Sequence, residues 1–105
     1  MQVFEDRNNI GQLRFFEVNN TFLGRRGVVR IIKRVPGVTI TQTPKIFLSW
    51  FRESEFCKFK IGENEFTVGE PFGDNSRYWI SGPRQSEKLE DVASEFKQQR
   101  LPFGL

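Results

Sequence analysis

Apolar and polar positions alternate with period two along much of this chain. Cys57, Phe59 and Ile61 alternate with Phe56, Lys58 and Lys60, and Gly62-Glu63-Asn64 then turns the chain into Glu65-Phe66-Thr67-Val68. That is the pattern of a hairpin with one dry and one wet side. Leu13 to Val18 and Thr21 to Leu23 flank Asn19-Asn20, and asparagine tolerates the positive φ of a tight turn, so a hairpin is predicted there too. Val38-Thr39-Ile40-Thr41 and Arg77-Tyr78-Trp79-Ile80-Ser81 read as further strands. After Thr43-Pro44, Lys45 to Phe51 puts Ile46, Leu48 and Trp50 on one face and Phe47, Ser49 and Phe51 on the other, which predicts a central strand.

One segment fits two periods. Val28, Ile31, Ile32 and Val35 have helical spacing. Five β-branched residues in the eight from Val28 to Val35, with Pro36-Gly37 directly after, favour a strand instead. The strand reading makes Gly24-Arg25-Arg26-Gly27 a chain reversal with two arginines at its tip. The helix reading would line the basic residues along one face of a short amphipathic helix, a more nucleic-acid-like arrangement.

A helical period is clear only near the C-terminus. Ser86 stands as N-cap, Glu87, Glu90 and Asp91 fall in the opening turns, and Leu89, Val92, Ala93 and Phe96 recur at helical spacing. Lys97 and Arg100 lie near the end, and Pro102 stops the helix. The expected fold is therefore α+β and mostly β: about seven to eight short antiparallel strands with one amphipathic C-terminal helix over about residues 86–100. A small barrel, an orthogonal sandwich or a bent sheet with a helix on its concave face satisfies that order. Pleckstrin-homology-like barrels have this order of elements, and the chain is similar to them in architecture alone. Residues 1–105 are expected to form a single domain with a core of Phe15, Phe47, Leu48, Trp50, Phe59, Phe66, Val68, Ile80, Leu89, Val92 and Phe96.

Charge changes this picture more than composition does. The 35 residues from Val18 to Arg52 contain no acid and seven bases: Arg25, Arg26, Arg30, Lys33, Arg34, Lys45 and Arg52. The whole chain is +3, so the remainder carries about −4. Such a division points to a partner or an oligomer and not to a reaction. Cys57 is the only cysteine, which rules out an intrachain disulfide and suits a reducing compartment, and no run reaches the roughly 18 apolar residues that a spanning helix needs. A cytoplasmic location is expected.

With no histidine, the chain lacks the commonest general base and metal ligand, and no phosphate-binding glycine motif occurs. Neither a metal nor a cofactor is expected. Glu70 and Asp74, in one glycine-containing loop, are the only nameable acid/base pair, and turn chemistry accounts for Asp74-Asn75-Ser76 more simply. Cys57 alternates with Phe59 and Ile61, as a small buried residue would.

The expectation is a non-catalytic binding or scaffolding module whose surface is Arg25, Arg26, Arg30, Lys33 and Arg34, with Tyr78 and Trp79 as aromatic contacts. A protein partner or a homo-oligomer ranks first. A single-stranded nucleic acid comes second, with Phe22, Tyr78 or Trp79 stacking on bases, and an enzyme using loop carboxylates third. An anionic membrane surface ranks last. The bland alternative is that these bases only solubilise sheet edges and pair across strands with Glu63, Glu65 or Glu70.

Overall fold

In the computed structural model, which describes residues 1–19, 23–43, 55–70, 77–83 and 87–99, the period-two segments form one antiparallel sheet. Its strands are β1 (Val3–Arg7), β2 (Leu13–Asn19), β3 (Val38–Gln42), β4 (Glu55–Ile61), β5 (Asn64–Gly69) and β6 (Arg77–Ser81). They lie in the order β1-β2-β6-β5-β4-β3. Among the described residues the sheet is open, with β1 and β3 at its two edges. The β4–β5 hairpin turns where expected, through Gly62 at φ 62°, a conformation open to glycine at no steric cost. Val38 follows the Pro36-Gly37 turn, with Gly37 at φ 79°.

The Val28–Val35 segment is not a strand. Gly24–Ile32 forms a helix, α1, and Gly24-Arg25-Arg26-Gly27 is its first turn instead of a chain reversal. Two causes decide this. As a strand, Val28, Arg30, Ile32 and Arg34 would share one face, burying charge beside aliphatics. As a helix, Val28, Val29, Ile31 and Ile32 are all buried while Arg26 and Arg30 stay exposed. The β-branched penalty is a few tenths of a kcal/mol each, against roughly 1.5 to 3 kcal/mol for burying each side chain. Topology agrees, because the chain must cross from β2 to the far edge, four strand spacings or about 19 Å away, and α1 makes that crossing.

The C-terminal helix, α2 (Glu87–Gln98), matches its expected position, so the described residues carry two helices and not one. It lies across β1 and β2, with Phe96 edge-on to Phe16 at 5.6 Å between ring centroids, and it touches α1. β1 itself was not expected. Its inward Glu5 pairs with Lys97 of α2 and with Arg7, and Arg7 also pairs with Glu90. The predicted strand over Lys45–Phe51, and Thr21 and Phe22 of the predicted first hairpin, lie outside the described residues, while Leu23 begins the turn into α1.

The register sets the two faces. Phe16 pairs with Ile80, Val18 with Tyr78, Val68 with Ile80 and Phe59 with Phe66, and all of these are buried under the helices. Phe15 was expected in this core, but it is half-buried on the opposite face, and its neighbour Phe16 takes the interior position. Phe56 departs from strict alternation as well. The β4–β5 register shifts between Glu55 and Cys57, and this irregularity accompanies the burial of both Phe56 and Cys57.

Candidate binding surface

The expected basic residues separate into two environments on α1. Arg26, Arg30 and Lys33 follow one another at i, i+4 and i+7, so they share the side of the helix opposite its buried aliphatics, over about 10 Å. All three are exposed, as is Arg34. Among the described residues no acidic side chain pairs with Arg26, Arg30 or Lys33. Arg34 donates to the side-chain oxygen of Gln99 at 2.5 Å, which ties the end of α1 to the end of α2.

The start of α1 strengthens the same field. No side chain caps it, its first turn contains no acid, and two arginines stand there. Cations at the positive end of a helix oppose its dipole, the reverse of the arrangement that stabilises a helix. The end of α2 shows the ordinary solution, because the Met1 ammonium donates to the carbonyl oxygens of Lys97 and Gln99.

Arg25 belongs to the fold. Its guanidinium bonds Glu70 at 2.6 Å and sits 4.7 Å from the centroid of the Phe56 ring, with 18% of its side chain exposed and 16% of that of Glu70. Phe56 meets Tyr78 edge-on at 5.1 Å. Burial, and then the nearby Glu70 carboxylate, push the Tyr78 hydroxyl upward in pKa, with Arg25 opposing. The cluster locks the start of α1 to β4, β5 and β6. It also occupies Glu70, the described member of the expected carboxylate pair; Asp74 lies outside the described residues.

The aromatic candidates are not brought to the basic stripe. Tyr78 is 5% exposed and faces the helices, so it is no surface contact. Trp79 is half-buried and points to the other side of the sheet, in register with Glu17 and Gly69. That side also holds Phe4, with Arg77 3.7 Å above its ring. Phe22 lies outside the described residues. Cys57 is buried, and burial pushes its thiol up to about 11, which leaves it inert near neutral pH.

A hollow of about 530 Å³ beside the β1–β2 turn is lined by Arg7 and Arg14. Those guanidinia are already paired, Arg7 with Glu5 and Glu90 and Arg14 with Asp6 at 3.4 Å. Among the described residues no three His, Cys, Asp or Glu side chains gather as a metal site, and no helix is long and apolar enough to cross a membrane. Two bases absent from the expected surface also matter. Lys58 and Lys60 project from β4 beside β3, opposite Gln42 and Thr39. Their alternation with Cys57, Phe59 and Ile61 was the available signal.

Comparison with models of known protein families, with curated proteins and with solved structures finds no match.

Proposed function

We propose that this chain is a non-catalytic binding module that engages an acidic protein partner through the exposed face of α1. The observation that carries the reading is that Arg26, Arg30 and Lys33 align at helical pitch, exposed, with no acid paired to them among the described residues. Arg34 extends the stripe, and the uncapped start of α1 adds to its positive potential. Arg25 serves by fixing the helix and not by contact. An anionic partner would satisfy a field that the described residues leave unbalanced.

Binding of fluorescent poly-L-glutamate tests this. The reading expects binding that the double variant R26E/R30E loses, with both proteins folded by circular dichroism. Undiminished binding by the folded double variant would remove α1 as the site.

A single-stranded nucleic acid is the second reading, favoured by the same helical line of bases. Stacking lends it little support, since Tyr78 is buried and Trp79 lies on the far side of the sheet. Three to four phosphate contacts would give a slope of log K against log salt of about −2 to −3. An oligonucleotide that shows this slope and outcompetes poly-L-glutamate would put nucleic acid first. A pleckstrin-homology-like barrel plays no part in either reading.

A further inference from the structure

The two open edges of the sheet differ in chemistry. β1 carries Glu5, Asp6 and Arg7, and its inward Glu5 is tied to Lys97. Charges on an edge strand, above all one that points inward, discourage another strand from pairing there. β3, Val38-Thr39-Ile40-Thr41-Gln42, has no charged residue, and among the described residues no element lies beyond it. Its one irregularity, a register shift between Ile40 and Gln42, falls at the far end.

The surroundings of β3 carry more bases than acids. Lys33 and Arg34 precede it at the end of α1, and Lys60 and Lys58 stand on β4 opposite Thr39 and Gln42, with Glu65 of β5 across from Lys60 on its other side. A strand added beside β3 would lie two spacings, about 9.6 Å, from β4. A glutamate on that strand and a lysine on β4 can meet across this gap where the intervening side chain is short, as Thr39 is. On the opposite face Val38 and Ile40 are only partly buried at the rim of the core, and an apolar neighbour would complete their cover. Two copies of this chain paired through β3 would instead set like charges of both copies along one seam.

We propose that the β3 edge accepts an extended segment of the partner, in which acidic residues alternate with apolar ones, as an added strand. Main-chain hydrogen bonds hold the segment, apolar residues cover Val38 and Ile40, and an acid reaches Lys60 past Thr39, with Lys58 adding to the positive field. This deepens the reading of an acidic protein partner and rests on it, but it places the ladder on β3 and not on α1.

The probe is the peptide acetyl-(Glu-Val)5-amide at millimolar concentration, with amide hydrogen exchange read residue by residue on the full chain. Protection is expected at alternate amides of Val38–Gln42, together with binding at least about tenfold weaker in K58E/K60E. Thr39→Pro and Ile40→Pro supply a backbone test, since one of two adjacent N–H groups faces β4 and the other faces outward. The variant that retains the wild-type melting temperature should lose the peptide. Peptide binding without protection at β3, or binding indifferent to the fold-neutral proline, overturns strand addition. So does absence of peptide binding while poly-L-glutamate still binds through α1, which leaves the α1 reading standing. Failure of both ligands overturns both.

Discussion

Arg26→Glu should make this protein more stable while removing its binding to poly-L-glutamate. Arg26 is exposed in the first turn of α1, where no cap and no acid offset the helix dipole. Reversing its charge replaces an unfavourable term with a favourable one, each about 0.3–1 kcal/mol at an exposed site. It also removes the like-charge spacing of Arg26 and Arg30 and sets an acid four residues before Arg30, the better orientation for such a pair, which adds another few tenths of a kcal/mol. The sum is about 1–2 kcal/mol of stabilisation, at roughly 4–8 °C in melting temperature per kcal/mol for a domain of this size. Arg30→Glu is the control. It removes the same charge from the stripe but sits in the last turn, where an acid is disfavoured, so stability should be unchanged or lower while binding to poly-L-glutamate is lost equally. Urea unfolding, with m unchanged and only the midpoint moving, measures the first effect, and fluorescence titration measures the second. If Arg26→Glu destabilises the fold, the reasoning fails, because the arginine would then hold α1 in place and its exposure would not mark a contact surface.

Other predictions concern what holds the surface in place. Gly82→Ala would put its Cβ 2.2 Å from the ring of Phe66, which is fully buried and stacked on Phe59, so a loss of about 1–3 kcal/mol is expected by urea unfolding. Glu70→Gln should cost about 1–2 kcal/mol in the same assay, since it removes the charge-assisted bond to a largely buried Arg25. An equal stability would show that the cluster does not anchor α1. The Cys57 thiol is raised from 9.0 to about 11, so its contribution is complete below pH 9 and fades as pH rises toward 11. Relative to Cys57→Ala, the native chain should lose about 3 kcal/mol across that interval. The Glu5 carboxyl is lowered, first by its hydrogen bond from Lys97. Its stabilising effect is therefore present above the ordinary carboxylate range and lost as pH falls through the lowered value, and Glu5→Gln should flatten acid unfolding.

Strands whose two faces differ in polarity were legible in the sequence. Lys58 and Lys60 against Phe59 and Ile61 fixed the β4–β5 hairpin and its register, and Leu89, Val92 and Phe96 fixed α2. Three other features were hidden for physical reasons. β-branched residues favour strands locally, and the aliphatics of α1 overrode that preference because only a helix separates them from Arg26 and Arg30. The Phe15-Phe16 dipeptide offers an aromatic to either face, and strand pairing decides which one enters the core. β1 carries three consecutive charges, and the sequence does not show that Glu5 and Arg7 find ion-pair partners on α2 while Val3 packs against the core. As for the surface, the arginines could be read from the chain, but their division into an anchored Arg25 and a free-standing stripe depends on Glu70, which is 45 residues away.

An excess of three bases over acids does not by itself decide which bases stay unpaired. Glu5, Asp6, Glu17, Glu70 and Glu90 each meet an arginine or lysine, in four cases from outside the acid-free stretch. Arg25, the one base of that stretch with a described acidic partner, lies at the end of α1 that faces the sheet. Arg26, Arg30 and Lys33 are turned away from every described acid by the same helical period that buries Val28, Val29, Ile31 and Ile32. The packing that fixes α1 therefore also holds its bases in solvent, at fixed spacing, on the helix that leads into an uncharged sheet edge. Random solubilising charge would not require that order. A partner carrying acids along an extended segment would use both parts of it, the helix for attraction and the edge for register.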